Sequence, residues 1–462
     1  MRVNVSSHDL KVLDHKHHLH PFTDHGALGV DERRVITRAD GVWLWDSDGN
    51  RLLDGMAGLW CVNVGHGRQE IGEAVRAQMS ELSYYNTFFK TTHPPVIELS
   101  EMIADLAPDH MNMVFYGGSG SDANDTIFRL VRYYWDLMGK PEKKTIIARK
   151  NAYHGSTVAG ASLGGMGGMH EQGDLPISGI HHIAQPYWFG EGMQSGMSED
   201  EFGIWAAREL ARAIDEIGED KIGAFIAEPI QGAGGVIIPP TTYWPEVSRI
   251  LEERDILFVS DEVICGFGRT GEWFGADTYG TKPDLMAIAK GMTSGYLPMG
   301  GVIVSDRVAD VLHEKGGEFY HGYTYSGHPA ACAAAIANLT IMKREKLVDS
   351  VRDQIGPYFR ERWLGLGDHP MVGEARMKGL VGALELIPDK KDLMKRFGDV
   401  GKVGTIARDH SFANGLVMRA VRDSLIISPP LTITEEETDE LIARAHKTLD
   451  DAWSTVRKHG LA

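Results

Sequence analysis

Short apolar runs recur along the middle of the chain, each too short for a helix and each bounded by turn-forming residues. They are Thr145–Ala148, Ile222–Ala227, Ile256–Ser260, Leu285–Ala289 and Gly301–Val304. Segments with helical spacing, such as Phe202–Ile217 and Tyr243–Arg254, lie between several of them. Runs without polar alternation are what strands buried on both faces require. Strand–helix–strand order then predicts an α/β fold around a mainly parallel sheet covered on both sides. The 54 glycines, many in short clusters between apolar segments, suit the tight connections of such a fold.

Elsewhere the pattern differs. Residues 41–54 alternate apolar and polar and turn at Asp48-Gly49-Asn50, which predicts a β-hairpin. Glu70–Leu82 and Pro94–Leu106 have helical spacing. The stretch MNMVFYGGSGSDAND predicts a strand that breaks at Gly117-Gly118 and opens into a helix striped by Ile127, Leu130, Val131, Tyr134 and Met138. After about residue 330 a long helix, Ala330–Glu345, begins a smaller region of mixed helices and strands. We find no internal repeat.

The net charge of −17 makes nucleic acid and anionic lipid poor partners. Cys61, Cys265 and Cys332 are odd in number and widely spaced, which argues against a disulfide framework or a zinc site and for a reduced, cytoplasmic setting. The histidines of the N-terminal region (His8, His15, His17, His18, His20, His25) read as solvated rather than metal-binding. That region has no signal-peptide core, and no apolar stretch is long enough to span a bilayer.

Three elements carry chemistry. GGSGSD, Gly117–Asp122, combines close backbone approach, serine hydroxyls and a following helix N-terminus, the makings of a phosphate cradle. It fits neither a Walker loop nor a dinucleotide fingerprint, and alone it could be an ordinary cap. Asp261 ends an apolar strand, where α/β sheets bind ligands; buried there it needs a positive partner, or it is an N-cap or structural ion pair. Lys290 ends another apolar run before a glycine-rich turn, where desolvation can keep its amine neutral enough to attack an aldehyde. A phosphate site, a partner for a protonated pyridine nitrogen and a Schiff-base lysine are together what pyridoxal 5′-phosphate requires.

LWCVNVGHG, YNTFFKTTHP, GSGSDAND, NAYHGSTVAGASLGG, AEPIQGAGG, DEVICGFGRTGEWFG, AKGMTSGYLP, HGYTYSGHP and FANGLVMRA extend the match over nearly the whole chain. In these stretches the sequence resembles a class III aminotransferase of the ω-amine/ω-amino acid:pyruvate subgroup. The resemblance implies the fold of type I pyridoxal-phosphate enzymes. That means a large domain (61–329) with a mainly parallel seven-stranded sheet, and a smaller α+β domain built from both termini (1–60 and 330–462). It implies that Lys290 bears the cofactor and Asp261 faces its pyridine nitrogen. Ser119, Gly120 and Ser121 match the phosphate turn, Tyr153 and Val263 the residues covering the ring, and His154 and Glu228 supporting positions. Thr324 matches a residue reaching the phosphate in the neighbouring subunit, which implies a homodimer with shared sites.

On the substrate side the resemblance implies Trp60, Phe88, Tyr153, Ala233 and Arg419, with Arg419 pairing an acceptor's carboxylate. An amine donor and a keto acid would react in two half-reactions with ping-pong kinetics. Relatives acting with 2-oxoglutarate typically carry a glutamate where this chain has Ala233, so its absence favours pyruvate. Two more departures are Ile264, where a glutamine is common, and Arg422, where a small residue is common; Arg422 could hold a second carboxylate or narrow the entrance. An aminomutase or decarboxylating transaminase would use the same parts, and a non-catalytic binding module would bind cofactor without reacting.

Overall fold

The computed structural model describes residues 5–461; Met1–Asn4 and Ala462, the outermost residues of the expected small-domain pieces, lie outside the described residues. A seven-stranded sheet forms the centre. Its strands are β4 (Met111–Gly117), β5 (Thr145–Arg149), β6 (Ile180–Ile183), β7 (Ile222–Ala227), β8 (Leu257–Asp261), β9 (Leu285–Ile288) and β10 (Gly300–Ser305), in the order β4-β10-β9-β8-β7-β5-β6. From β9 to β6 all neighbours are parallel, whereas β10 runs antiparallel to both β4 and β9.

Every residue of β7 and β8 is buried, as the unbroken apolar runs require. Alternate residues serve opposite faces. Ala224, Ile226, Leu257 and Val259 pack with the amphipathic helix Gly120–Leu137, including the expected Ile127, Leu130, Val131 and Tyr134. Phe225, Ala227 and Phe258 pack with helices Glu199–Ile217 and Tyr243–Glu252. Each buried Val, Ile, Leu or Phe among them contributes about 1.5–3 kcal/mol, and each alanine roughly 0.8 kcal/mol.

Near the N-terminus, β1 (Ile36–Asp40), β2 (Trp43–Asp46) and β3 (Arg51–Leu53) form an antiparallel sheet, extending the expected hairpin by one strand. Near the C-terminus, β11 (Val372–Lys378), β12 (Val381–Leu386), β13 (Arg419–Val421) and β14 (Ser424–Ile427) form another in the order β11-β12-β14-β13. A bridge between Leu53 and Leu416 joins the two terminal regions. The helix Pro329–Arg344 packs against Gln69–Glu81 and Pro94–Ala104. Among the described residues, no helix is long and apolar enough to cross a membrane. Of the N-terminal histidines, His18 and His20 gather on Asp14, which Arg33 Nε also engages at 2.8 Å.

Glu262, just past the end of β8, is fully buried. Its carboxylate accepts from Ser260 Oγ (2.9 Å) and from the amides of Gly275 (2.7 Å) and Ala276 (2.8 Å), which open the helix Gly275–Tyr279. Burial nevertheless pushes its carboxyl up to about 7. A carboxyl with a raised folded-state pKa favours the folded state below its ordinary value of 4.5 and loses that advantage as pH rises through 7. The stability difference between wild type and Glu262→Gln should therefore shrink between pH 5 and pH 8 by up to about 3 kcal/mol. Thermal or urea melts of both proteins across that range measure it; a constant difference would contradict it.

Candidate active site

The C-terminal ends of β8 and β9 lie side by side, with Asp261 in register with Ala287. A cavity of about 340 Å³ opens there. Of the residues singled out in the sequence, Ser119, Gly120, Ser121, Tyr153, His154, Glu228, Asp261, Val263 and Lys290 line it. They come from five separate stretches of chain, and the sheet edge is what gathers them.

The glycine–serine turn ends β4 and starts the helix Gly120–Leu137. Ser119 Oγ accepts from the Asp122 amide (3.1 Å), while Asp122 Oδ2 accepts from the Gly118 amide (2.8 Å), so the turn is braced from within. A Cβ on Gly120 would sit 3.0 Å from the Val263 methyl groups, which leaves room there for backbone only. Ser121 Oγ accepts from the Ser156 amide (3.1 Å) and so locks the turn to the Tyr153–Gly155 segment.

Asp261 is buried and held from three directions. Oδ2 accepts from His154 Nδ1 (2.7 Å) and Asn124 Nδ2 (2.8 Å), and Oδ1 accepts from the Val263 amide (3.1 Å). Asn124 also donates to the His154 carbonyl (2.8 Å). We did not single out Asn124 from the sequence. Its signal was a buried polar residue on the apolar stripe of its helix, one turn before Ile127 and Phe128. Buried and without a hydrogen-bond partner are His154 Nε2 and Asn124 Oδ1.

Glu228 joins two walls: Oε1 accepts from the Tyr153 amide (3.1 Å) and Oε2 from the Gly232 amide (2.9 Å). Its burial raises its pKa. Lys290 follows β9 with φ +46, an unusual conformation for a residue with a side chain. Burial pulls its ammonium pKa down, against the opposing pull of Cys61, Asp261 and Glu228.

Trp60 lies in a strained turn, with positive φ at Ala57, Gly58 and Trp60 itself. Its ring centroid is 5.4 Å from Lys290 Nζ and 5.3 Å from the Arg419 guanidinium carbon. Burial lowers the Arg419 pKa, and no carboxylate among the described residues pairs with it. Ala233 packs in one apolar cluster with Trp60, Ile264 and Tyr153. Trp60, Ala233 and Arg419 thus stand beside the cavity rather than in its lining, and the remaining residues are elsewhere. Phe88 lines a separate groove with Phe115, His321 and Ser326, and exposed Thr324 accepts from the Tyr84 hydroxyl (2.7 Å). Arg422 is exposed at the β13–β14 turn with φ +53, a position where a glycine would carry no strain. Its backbone there packs on Gly404, and it does not line the cavity.

The family model Aminotransferase class-III matches residues 27–449. A putrescine–pyruvate aminotransferase of Pseudomonas aeruginosa is 59% identical over 98% of this chain and 98% of its own. A diaminobutyrate–2-oxoglutarate transaminase of Halomonas elongata is 44% identical over 98% and 97%. Among solved structures, an (S)-enantioselective ω-transaminase from Thermomicrobium roseum superimposes with a TM-score of 0.93 at 40% identity, covering 97% of this chain and 99% of that one. The ω-transaminase of Pseudomonas jessenii in complex with PMP gives 0.93 at 38% identity, with the same coverage. A family model spanning the cavity and both flanking sheets, and relatives similar along their whole length, make this chain a member of the class III aminotransferases, pyridoxal-phosphate-dependent enzymes of fold type I.

Proposed function

We propose that the protein transfers an amino group from an ω-amino acid, a diamine or an aryl or alkyl amine to pyruvate by a ping-pong mechanism. The observation that carries this reading is the pairing of Lys290, a desolvated amine in the cavity, with Arg419, a cation lacking a carboxylate partner, across one indole. A 59% identical relative named for putrescine and pyruvate supports it. A second ammonium on a diamine donor would be repelled by Arg419, so that arginine serves the acceptor's carboxylate. No acidic side chain at Ala233 masks it.

The residues fit pyridoxal phosphate on their own chemistry. The cavity of about 340 Å³ lies within the roughly 300–1,000 Å³ of small-molecule sites. A turn admitting only glycine at Gly120, backed by serine hydroxyls, suits a phosphate, and Asp261 suits a protonated ring nitrogen. When bound, the cofactor supplies an electron-accepting ring. Lys290 would hold it covalently and, with its amine free, would carry a proton at Nζ to and from the substrate carbon. Asp261 would face the ring nitrogen and favour its protonated form, with His154 and Asn124 fixing the carboxylate. Tyr153 and Val263 confine the ring, and Glu228 holds the Tyr153 backbone in place.

We assign residues 1–60 and 330–462 to a small domain and 61–329 to a large one, a division supported by the terminal sheets and the Leu53–Leu416 bridge. Partnership with a second copy is supported by exposed aromatic residues around Phe88 and Thr324: Phe89 is 89% exposed and Tyr320 78%. In such a homodimer Phe88 and Thr324 serve the partner's site. The setting we propose is cytoplasmic, in keeping with three free thiols.

Lys290→Ala should lose at least about 10³-fold in turnover yet still bind cofactor, now removable and resistant to borohydride trapping. Normal multiple turnover would refute the assignment. Arg419→Ala should raise KM for pyruvate by about 10–100-fold and leave KM for an uncharged aryl amine nearly unchanged; equal effects would remove its carboxylate role. The Asp261 carboxylate favours the Lys290 ammonium, so Asp261→Asn should move the pH midpoint of cofactor capture by the apoprotein to lower pH. Borohydride-trapped product against pH measures this, and an upward or absent shift would contradict it.

A further inference from the structure

Residues 231–236, Gln-Gly-Ala-Gly-Gly-Val, form the wall that carries Ala233. Three of the six are glycines, so the segment has few side chains of its own with which to fix its position. Its ends pair once, through Gln231 and Ile237. The Gly235 and Val236 amides close the turn from within by donating to the Gly232 carbonyl (3.1 and 3.0 Å), and side chains from outside the segment add to this. Glu228 accepts from the Gly232 amide (2.9 Å), and Asn151 Nδ2 donates to the Gly234 carbonyl (2.9 Å). Arg376 makes two bonds, from Nε to the Val236 carbonyl (2.8 Å) and from Nη2 to the Gly235 carbonyl (2.6 Å).

Arg376 belongs to β11, does not line the cavity, and is buried. Its guanidinium is gripped by Glu374 (2.5 Å) and by Glu385 (3.4 Å). Glu385 in turn accepts from the Tyr187 hydroxyl (2.7 Å) and from Ser424 Oγ. On its inner side the wall meets Trp60, Tyr153 and Ile264, and the Ile264 side chain packs so closely on Gly232 that a Cβ there would collide with it. A charged cluster on the C-terminal sheet therefore reaches a glycine-rich segment whose Ala233 packs in one apolar cluster with Trp60, Tyr153 and Ile264, the last two of which line the cavity.

We infer that Arg376 is a specificity-determining positioning residue: by holding the Gly235 and Val236 carbonyls it fixes the depth of the wall at Ala233 and so the room available to the acceptor's side chain. The inference rests on the proposed reading of Ala233 as a substrate-side residue. Arg376 touches neither Lys290 nor Asp261, whose own supports are separate. Its effect belongs in substrate discrimination. A lysine would keep the charge between Glu374 and Glu385 but lacks the planar fork that reaches two carbonyls at once.

The test uses the holoenzyme with a fixed amine donor and compares kcat/KM for pyruvate and 2-oxobutyrate. In Arg376→Met, KM for pyruvate should rise about tenfold and the pyruvate preference should fall by a similar factor, the scale of one methylene's fit. The kcat and the visible band of the bound cofactor should stay near wild type, and Arg376→Lys should fall between the two. An unchanged preference in both variants would overturn the inference, as would proportional losses in kcat and stability with no change in preference. If Arg376→Met does not fold, Asn151→Ala releases the same wall at Gly234 without disturbing the buried ions. It should shift the preference in the same direction, and no shift would count against the proposal. Ala233→Leu separates the two levels. If it shifts the preference while the Arg376 variants do not, only this inference fails; if it shifts nothing, the reading of Ala233 fails with it.

Discussion

Arg269 is a fully buried cation whose hydrogen-bond partners are all neutral. Its guanidinium donates to the carbonyls of Leu380 (3.1 Å) and Pro429 and to Asn63 Oδ1 (2.8 Å). Burial lowers its pKa, as expected for a charge taken from water without a facing carboxylate. Those three oxygens belong to the β11–β12 turn, the segment after β14 and the segment just after Trp60. They can converge only if the C-terminal region is docked on the loop that follows β8. Asn63 carries the constraint onward: it donates to the Phe267 carbonyl (2.8 Å) and packs so closely on Gly291 that a Cβ there would collide with it. Gly291 is the neighbour of Lys290. The backbone beside Lys290 is thus tied, through one asparagine, to the same buried cation.

The central strands were legible because burial on both faces leaves continuous apolar runs, and β7 and β8 are of that kind. The direction of β10 was not. An apolar run has no polarity, and only its pairing with β4 and β9 makes it antiparallel. The edge strand β6, Ile-His-His-Ile, escaped because its two histidines are only half-buried and break the pattern. β1 escaped because it is mostly exposed. Edges carry the weakest apolar signal because one side has no neighbour to satisfy.

Lys290 and Asp261 were more legible than the residues that support them. Lys290 and Asp261 each end an apolar run, so sequence alone placed them at strand ends; that these two ends adjoin required the sheet. Asn124 reads locally as one more polar residue near the start of a helix that opens with Gly120-Ser121-Asp122. Arg376 is separated from the wall it holds by about 140 residues of chain. No local pattern encodes such a contact. Arg422 follows Arg419 closely in sequence, but it stands exposed at the β13–β14 turn with φ +53 and outside the cavity lining, and its identity there has no structural explanation.

The charges around the cavity follow one logic. The chain as a whole is strongly acidic, with a net charge of −17, and its surface field opposes an arriving anion. Inside, Glu228 has both oxygens on backbone amides, and Asp261 has Oδ2 on His154 and Asn124, while Oδ1 holds one bond from the Val263 amide and keeps a free lone pair. Arg419 has an indole beside it rather than a carboxylate. An aromatic face stabilises a guanidinium by about 0.5–2 kcal/mol, less than a buried carboxylate would, and it does not saturate the guanidinium's donors. A cation left in that state gains most from a ligand carboxylate and loses little when an uncharged group takes its place. The same cavity can therefore accept a keto acid in one half-reaction and an amine in the other without rebuilding its walls, provided that those walls are held from behind.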